Sequence, residues 1–515
     1  MRLEALANLQ AMYGWVQSKK DAVSSDEVTE DWLNQLDSSE PLTSEFFASC
    51  KVKTREARKQ TAEALSKRLS DGTGKRANAQ LWLNPWSFTV RAGKQEIPPL
   101  GFVSVPTEEP GTKPASEPSS KWGWFFSKKS TPEPDPIRFD KASSTWVMTN
   151  SQLELRFDTF TGHLRAVYDH YHRGNRLSQQ LAMRTTASPI DSLDDEDSEF
   201  YSIQAADEIR PEIHDGLLEL HVSGRLMNRQ GKLLSQFTQI TTLYPNDSVI
   251  GLDIYLDPVQ LPVKNPWQSY YANRLVWSDS TSDVFRSVGF GTVETQARKI
   301  EAPYFVDVRP LKINTMTRVV SSTTQALAER VRGEKLRKEA FLPERGEDTE
   351  YDANAKITLL SCGLPYHRRV GMRKLDTLLL VHGETCRRFR LGIALNKPYS
   401  AQSALAFMQP PISVGACRKE ESLRASAWFG HVGHRNVLLT HVQPTRDEDG
   451  RPGAILRFAE TEGRKASTSF QSVHDIQRAE QTDFGGQNPQ PLHVENGAVQ
   501  FSIPAFGFIE IRVYF

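Results

Sequence analysis

SQLELRFDTFTGHLRAVYD, residues 151–169, holds two alternating runs on either side of the DTFTG turn, 158–162. Alternation at a period of two sends one set of side chains to one face of a strand, and Gly162 accepts the positive φ of a tight connection. The stretch predicts an antiparallel hairpin, with Asp158, Thr159, Phe160, Thr161 and Gly162 serving as turn chemistry. The same period recurs outward from it. Leu218, Leu220 and Val222 alternate, as do Ile250, Leu252, Ile254 and Leu256, and Ile509, Ile511, Val513 and Phe515 close the chain. Strict alternation requires one buried and one less buried face, which predicts a mainly β chain of antiparallel sandwiches from Trp146 onward.

Upstream the period differs. Residues 1–78 read as a helical tail of a three-helix-bundle-like segment. Leu3, Leu6, Leu9, Met12, Trp15 and Val16 form one stripe, and Ser25, Val28 and Trp32 give a second helix its cap and face. A third helix is expected over Thr54–Leu69, ending before Asp71, Gly72 and Gly74. At Leu81 the period becomes two. Residues 79–145 are expected to form a small β-domain, punctuated at Asn84-Pro85 and Pro98-Pro99 and carrying a flexible Pro/Ser-rich insert over 106–136. Residues 146–515 are expected to form one large β-sandwich region with a charged insertion near 326–355. No repeat of solenoid or propeller length is visible.

The composition excludes several classes of function. Sixty-three basic and sixty-three acidic residues cancel across 515 positions, so no global field favours nucleic acid or an anionic membrane. No 18-residue apolar run predicts a transmembrane segment. The first twenty residues are amphipathic and carry Glu4, which argues against a secretory signal. The four cysteines, Cys50, Cys362, Cys386 and Cys417, lie far apart and read as reduced structural thiols, which suits a cytoplasmic setting.

Several clusters bear on chemistry. Residues 265–274, NPWQSYYANR, place Trp267, Tyr270, Tyr271 and Arg274 close together. An aromatic face stacks on sugar C–H groups and a guanidinium fork bonds hydroxyl pairs; the alternative is an edge strand with its rings in the core. His367, Arg368 and Arg373 belong to the densest basic cluster, suited either to a substrate or to a domain interface. His431 with His434, and His170 with His172, invite a metal reading, but neither pair brings spaced partners, and no metal ligand is assigned. The acidic run 191–199 lacks the spacing of a calcium loop. Trp122, Trp124, Phe125 and Phe126, flanked by lysines, form a possible docking motif; the alternative is a loop that folds back on its own domain.

LWLNPWSFTV (81–90), IPPLGFVSVP (97–106), residues 151–169, RGNRLSQQLA (173–182) and NPWQSYYANRLVW (265–277) carry a further signal. In this order and spacing they resemble the C-terminal region of glycoside hydrolase family 38, the retaining α-mannosidases. The resemblance begins near Leu81 and runs, with gaps, to the last strand. It implies a large antiparallel β-supersandwich of the galactose mutarotase type. Family members are zinc-dependent, and retention needs a carboxylate nucleophile and a carboxyl acid/base. In the family these groups lie in an N-terminal α/β barrel with a His-x-Asp-x-Gly-Trp-like motif, followed by a helical bundle with a His-His-Asp-like motif. Neither motif occurs in this sequence, so the resemblance transfers no catalytic residue and no zinc to any position here.

The resulting expectation is the β-half of an α-mannosidase-like hydrolase. It would brace a catalytic barrel, carried in the same protein or by a split-gene partner, and help line a glycan cleft. Sugar contacts are expected from Trp267, Tyr270, Tyr271, Arg274, His367, Arg368 and Arg373. The alternatives are a stand-alone carbohydrate-binding or scaffold protein, and an independent enzyme using its own carboxylates.

Overall fold

The structure is a computed structural model, and it describes residues 44–69, 76–92, 95–107, 135–185, 198–214, 216–263, 265–311, 351–419 and 425–515. The two earlier helices, most of the 106–136 tract and most of the charged insertion lie outside the described residues. The chain divides into two compact units, Met1–Glu133 with Leu405–Phe515, and Pro134–Ala404.

In the Pro134–Ala404 unit, alternating sequence becomes two nine-stranded antiparallel sheets. One runs in the order Ile203–His214, Leu217–Met227, Leu233–Leu243, Val249–Pro258, Arg388–Leu395, Ile357–Leu360, Phe305–Arg309, Asp283–Val288, Gly291–Glu294. The other runs Lys299–Glu301, Tyr366–Gly371, Lys374–Leu380, Tyr270–Trp277, Leu177–Arg184, Leu164–Asp169, Leu153–Asp158, Thr145–Thr149, Ile137–Asp140. Their inner faces share one core. Leu220, Val222, Leu252 and Leu391 come from the first sheet, and Leu155, Phe157, Leu181 and Leu275 from the second. This is the antiparallel sandwich that the alternation predicts, in the large supersandwich form that the family resemblance implies.

The 158–162 turn is built as its residues dictate. Asp158 Oδ1 accepts from the backbone N–H groups of Phe160 and Thr161 at 3.0 and 2.9 Å, and Gly162 sits at φ 69°. Inside the sandwich, Gln179 donates to Asn273 Oδ1 at 2.8 Å and exchanges hydrogen bonds with Gln239 at 3.1 and 3.0 Å. These buried amides tie the two sheets together through polar contacts that a slipped register would break.

The other unit contains the expected third helix, which runs Ser44–Leu69. Its Ala62 and Leu65 pack on Leu81, Leu83, Phe102, Val414 and Phe429. All of these but Phe429 belong to a four-stranded sheet in which Arg76–Asn84 lies between Ile412–Lys419 and Gly101–Pro106, with Ser426–Trp428 at its edge. Two further sheets, of four and five strands, enclose Leu456, Phe458, Phe470, Val499, Ile511 and Val513.

These boundaries differ from those expected. The small sheet is not confined to 79–145, because half its strands come from after residue 411. Ile137–Asp140 instead pairs with Thr145–Thr149 in a nine-stranded sheet. The region from 146 does not remain one sandwich to 515; residues 405–515 cluster with the N-terminal unit. The physical reason is that alternation specifies which face of a strand is buried but not which strand lies beside it. No described helix is long and apolar enough to cross a membrane.

Candidate functional site

The Tyr270–Trp277 strand divides the expected sugar residues between two faces. Tyr271, Leu275 and Trp277 enter the sandwich core, while Tyr270 and Ala272 cluster with Leu378, Trp267 and Val381 on the opposite face. Arg274 shares the parity of Tyr270. Register then aligns a row across the sheet: Gln180 opposite Arg274, Arg274 opposite Asp376, Asp376 opposite Arg368, and Arg368 opposite Lys299.

Asp376 is the anion of this row and is fully buried. It accepts from Arg274 Nε at 2.7 Å and Nη2 at 2.8 Å, a two-pronged pairing, and from the Tyr270 hydroxyl at 2.9 Å. Arg368 Nη1 donates to the same hydroxyl at 3.1 Å. Burial by itself disfavours charge on Arg274, but the Asp376 charge and its hydrogen bonds overcome it and hold the guanidinium pKa above its ordinary value. Burial, followed by the Asp376 charge, pushes the Tyr270 hydroxyl well above its ordinary pKa, so it stays a neutral donor. The Arg274 guanidinium also lies over the Tyr201 ring, 3.7 Å from its centroid. With three donors converging on it, Asp376 acts as an internal strut, not as a carboxylate offered to a substrate.

The remaining expected residues fall elsewhere. The Tyr271 hydroxyl lies 2.7 Å from both the Leu234 and Gln260 carbonyls, and burial raises its pKa. His367 is fully buried. Its Nε2 is 3.0 Å from the Ala302 carbonyl, which can only accept, so Nε2 carries the proton and Nδ1 accepts from the Thr377 hydroxyl at 3.0 Å. Burial pushes the His367 pKa down to about 4. Arg373 is exposed and donates to the Ser278 carbonyl at 3.0 Å. The stretch with Trp122, Trp124, Phe125 and Phe126 lies outside the described residues.

Above the strut is an accessible rim. Trp267, half-buried, meets the exposed Tyr366 edge-on with ring centroids 5.7 Å apart, and Lys299 Nζ lies 5.6 Å from the Trp267 centroid. The structure therefore sorts the seven expected residues into buried framework (Tyr270, Tyr271, Arg274, His367, Arg368) and solvent-reaching groups (Trp267, Arg373). The sequence reading did not identify Asp376, Tyr366 or Lys299. A lone carboxylate in the apolar run LDTLLL, 375–380, is the signal for Asp376, since charges are buried only when paired.

His172 lies 3.1 Å from Asp169, beside Arg176, and the His431 ring sits against Trp428. Among the described residues neither His pair belongs to a group of three converging metal ligands.

The architecture defines a class: a large antiparallel supersandwich joined in one chain to a smaller β-rich unit. Solved structures with this fold include two from Enterococcus faecalis. One is an α-mannosidase from strain V583, similar at TM-score 0.53 and 10% identity over 92% of this chain and 61% of that one. The other is a family 38 glycosyl hydrolase protein, at TM-score 0.57 and 10% identity over 100% of this chain and 69% of its own. This chain thus spans less than two thirds of the length of the first. At such identity the likeness is one of fold, and at that level the resemblance to family 38 holds. A galactose mutarotase related enzyme from Lactobacillus acidophilus, at TM-score 0.20 and 6% identity over 53% of this chain and 95% of its own, is too distant to bear on the argument. No family model matches the chain, and no curated protein matches it.

Proposed function

We propose that this chain is the β-rich half of an α-mannosidase-like glycoside hydrolase. It braces a catalytic domain and lines part of a glycan cleft, while the zinc and the paired carboxylates belong to a barrel, on the same protein or on a partner. The observation that supports this is coverage. All of this chain aligns with a family 38 protein of which about a third stays unmatched, and the family's catalytic motifs are missing from these 515 residues. The Arg274–Asp376–Tyr270 strut suits a bracing role, because it ties two neighbouring strands together, and Arg368 links a third to it, at the base of an aromatic rim. Glycan contact on this chain falls to that rim, Trp267 and Tyr366. Cys386 is a free thiol, in keeping with a cytoplasmic setting.

The test is hydrolysis of an aryl α-mannoside, with zinc and with a chelator. It compares the 515-residue chain made alone with the same chain tagged and recovered from its native host. The proposal expects no turnover from the isolated chain and zinc-dependent turnover in the recovered sample, co-migrating with the tag. Zinc-dependent turnover by the isolated chain would place the chemistry here and overturn it. So would a recovered sample that is inactive and fails to bind mannosides by saturation-transfer NMR.

A further inference from the structure

At the edge of the first nine-stranded sheet, Ile203–His214 and Leu217–Met227 form a hairpin in which Glu212 stands directly opposite Glu219 and Arg210 opposite His221. Leu218, Leu220 and Val222 point into the core, so Glu219 and His221 point away from it, onto the face that also carries Glu212 and His214. Two carboxylates in directly opposed positions repel each other across a ladder unless a cation stands between them. Here they are interleaved with two imidazoles. His214 Nε2 is 2.8 Å from Glu212 Oε2, His221 Nε2 is 3.6 Å from that same oxygen, and His221 Nε2 is 3.2 Å from Glu219 Oε2. Ligand atoms of Glu212, His214 and Glu219 all lie within 4.8 Å of one another.

We propose that Glu212, His214, Glu219 and His221 bind one divalent transition-metal ion, with zinc the best match to the donor set. Four ligands at about 2.0–2.1 Å around a tetrahedral zinc lie about 3.3 Å from each other, and three of the six donor separations, 2.8, 3.2 and 3.6 Å, bracket that value. Two imidazole nitrogens and two carboxylates make a borderline-soft set that suits zinc over calcium or magnesium. Glu212 divides its oxygens, with Oε2 facing the histidines and Oε1 held by Arg210 Nε at 2.9 Å, which orients the ligand from outside the site. The donors sit on paired strands, not on a loop, so three of the four are already in place. These three are Glu212, His214 and Glu219, and His221 brings the fourth donor, its Nε2 3.2 Å from Glu219 Oε2 and 3.6 Å from Glu212 Oε2. Bound there, the ion clamps the turn end of an edge hairpin. This site is independent of the family zinc, which the proposed function assigns to another domain.

The experiment is calorimetric titration of the chelator-stripped full chain with zinc chloride alone, with hydrogen exchange of peptides covering 203–227 as a second readout. The expected result is one zinc per chain, with slower exchange across the hairpin when zinc is present. His221→Ala and Glu212→Gln should each weaken binding by roughly a hundredfold, and the double variant His214→Ala/His221→Ala should abolish both signals. These side chains face away from the core, and far-UV circular dichroism checks that the variants stay folded. Zinc binding that survives the double variant, zinc that leaves hairpin exchange unchanged, or no saturable binding by the unaltered chain would each overturn the proposal.

Discussion

Removing the charge on Asp376 should destabilise the supersandwich unit more than any change on its rim. In Asp376→Asn, one oxygen becomes an NH2 group facing donors. Oδ2 now accepts from both Arg274 Nη2 and the Tyr270 hydroxyl, and Oδ1 accepts from Arg274 Nε. Either amide orientation therefore sets donor against donor and leaves the buried Arg274 cation without its anion. Breaking one side of a buried ion pair costs about 3–5 kcal/mol. Arg274→Met should cost a similar amount, since it strands Asp376 instead. Removing both charges in Asp376→Leu/Arg274→Met should cost far less than the single losses of Asp376→Leu and Arg274→Met added together, with a coupling energy above about 3 kcal/mol. Two units need not unfold together, so a single global midpoint is the wrong measure. Peptide-resolved hydrogen exchange over Tyr270–Trp277 and Lys374–Leu380 reports the right free energy. Additive losses in the double variant, or single losses below about 1 kcal/mol, would show that water screens the pair and would refute the strut.

Three further outcomes follow from the geometry. His367, with its folded pKa at about 4 against an ordinary 6.5, is protonated first in the unfolded chain. Its contribution to stability is thus complete above pH 6.5 and lost as the pH falls through 4. The loss amounts to about 3 kcal/mol, and His367→Gln should flatten that part of the stability–pH curve relative to the unaltered chain. At Gly162, a Cβ would meet Val222 Cγ1 at 2.3 Å and φ is 69°. Gly162→Ala should therefore cost about 1–3 kcal/mol, and adding Val222→Ala should relieve the clash without relieving the backbone strain. Leu391→Ala opens a cavity in the shared core and should cost about 2–5 kcal/mol, seen as faster exchange in both nine-stranded sheets.

Much of the fold was legible because burial imposes a period. Leu218, Leu220 and Val222, and the run Ile250 to Leu256, announced their inward faces, and Asp158 with Gly162 announced a turn. Pairing left no such trace. Nothing in RANAQLWLN, 76–84, points to Ile412–Lys419 as its neighbour, and the domain boundaries were misplaced for that reason. The site shows the same divide. NPWQSYYANR was legible as a dense cluster, yet adjacent residues on a strand face opposite ways, so Tyr270 and Tyr271 serve different faces of the sheet. Asp376, and the Glu212–His214–Glu219–His221 group, exist only through register, which sequence spacing does not encode.

The pairing of Arg76–Asn84 with Ile412–Lys419 also sets an order of events during synthesis. The second strand leaves the ribosome roughly 340 residues after the first, a delay of about 20–70 s at about 5–20 residues per second. Residues 134–404 are all available before then and can fold first, whereas one edge of Arg76–Asn84 must wait without its neighbour. An open strand edge invites pairing with other chains. The small sheet, more than the large sandwich, is therefore where a nascent chain of this protein is most exposed to aggregation and most in need of a chaperone.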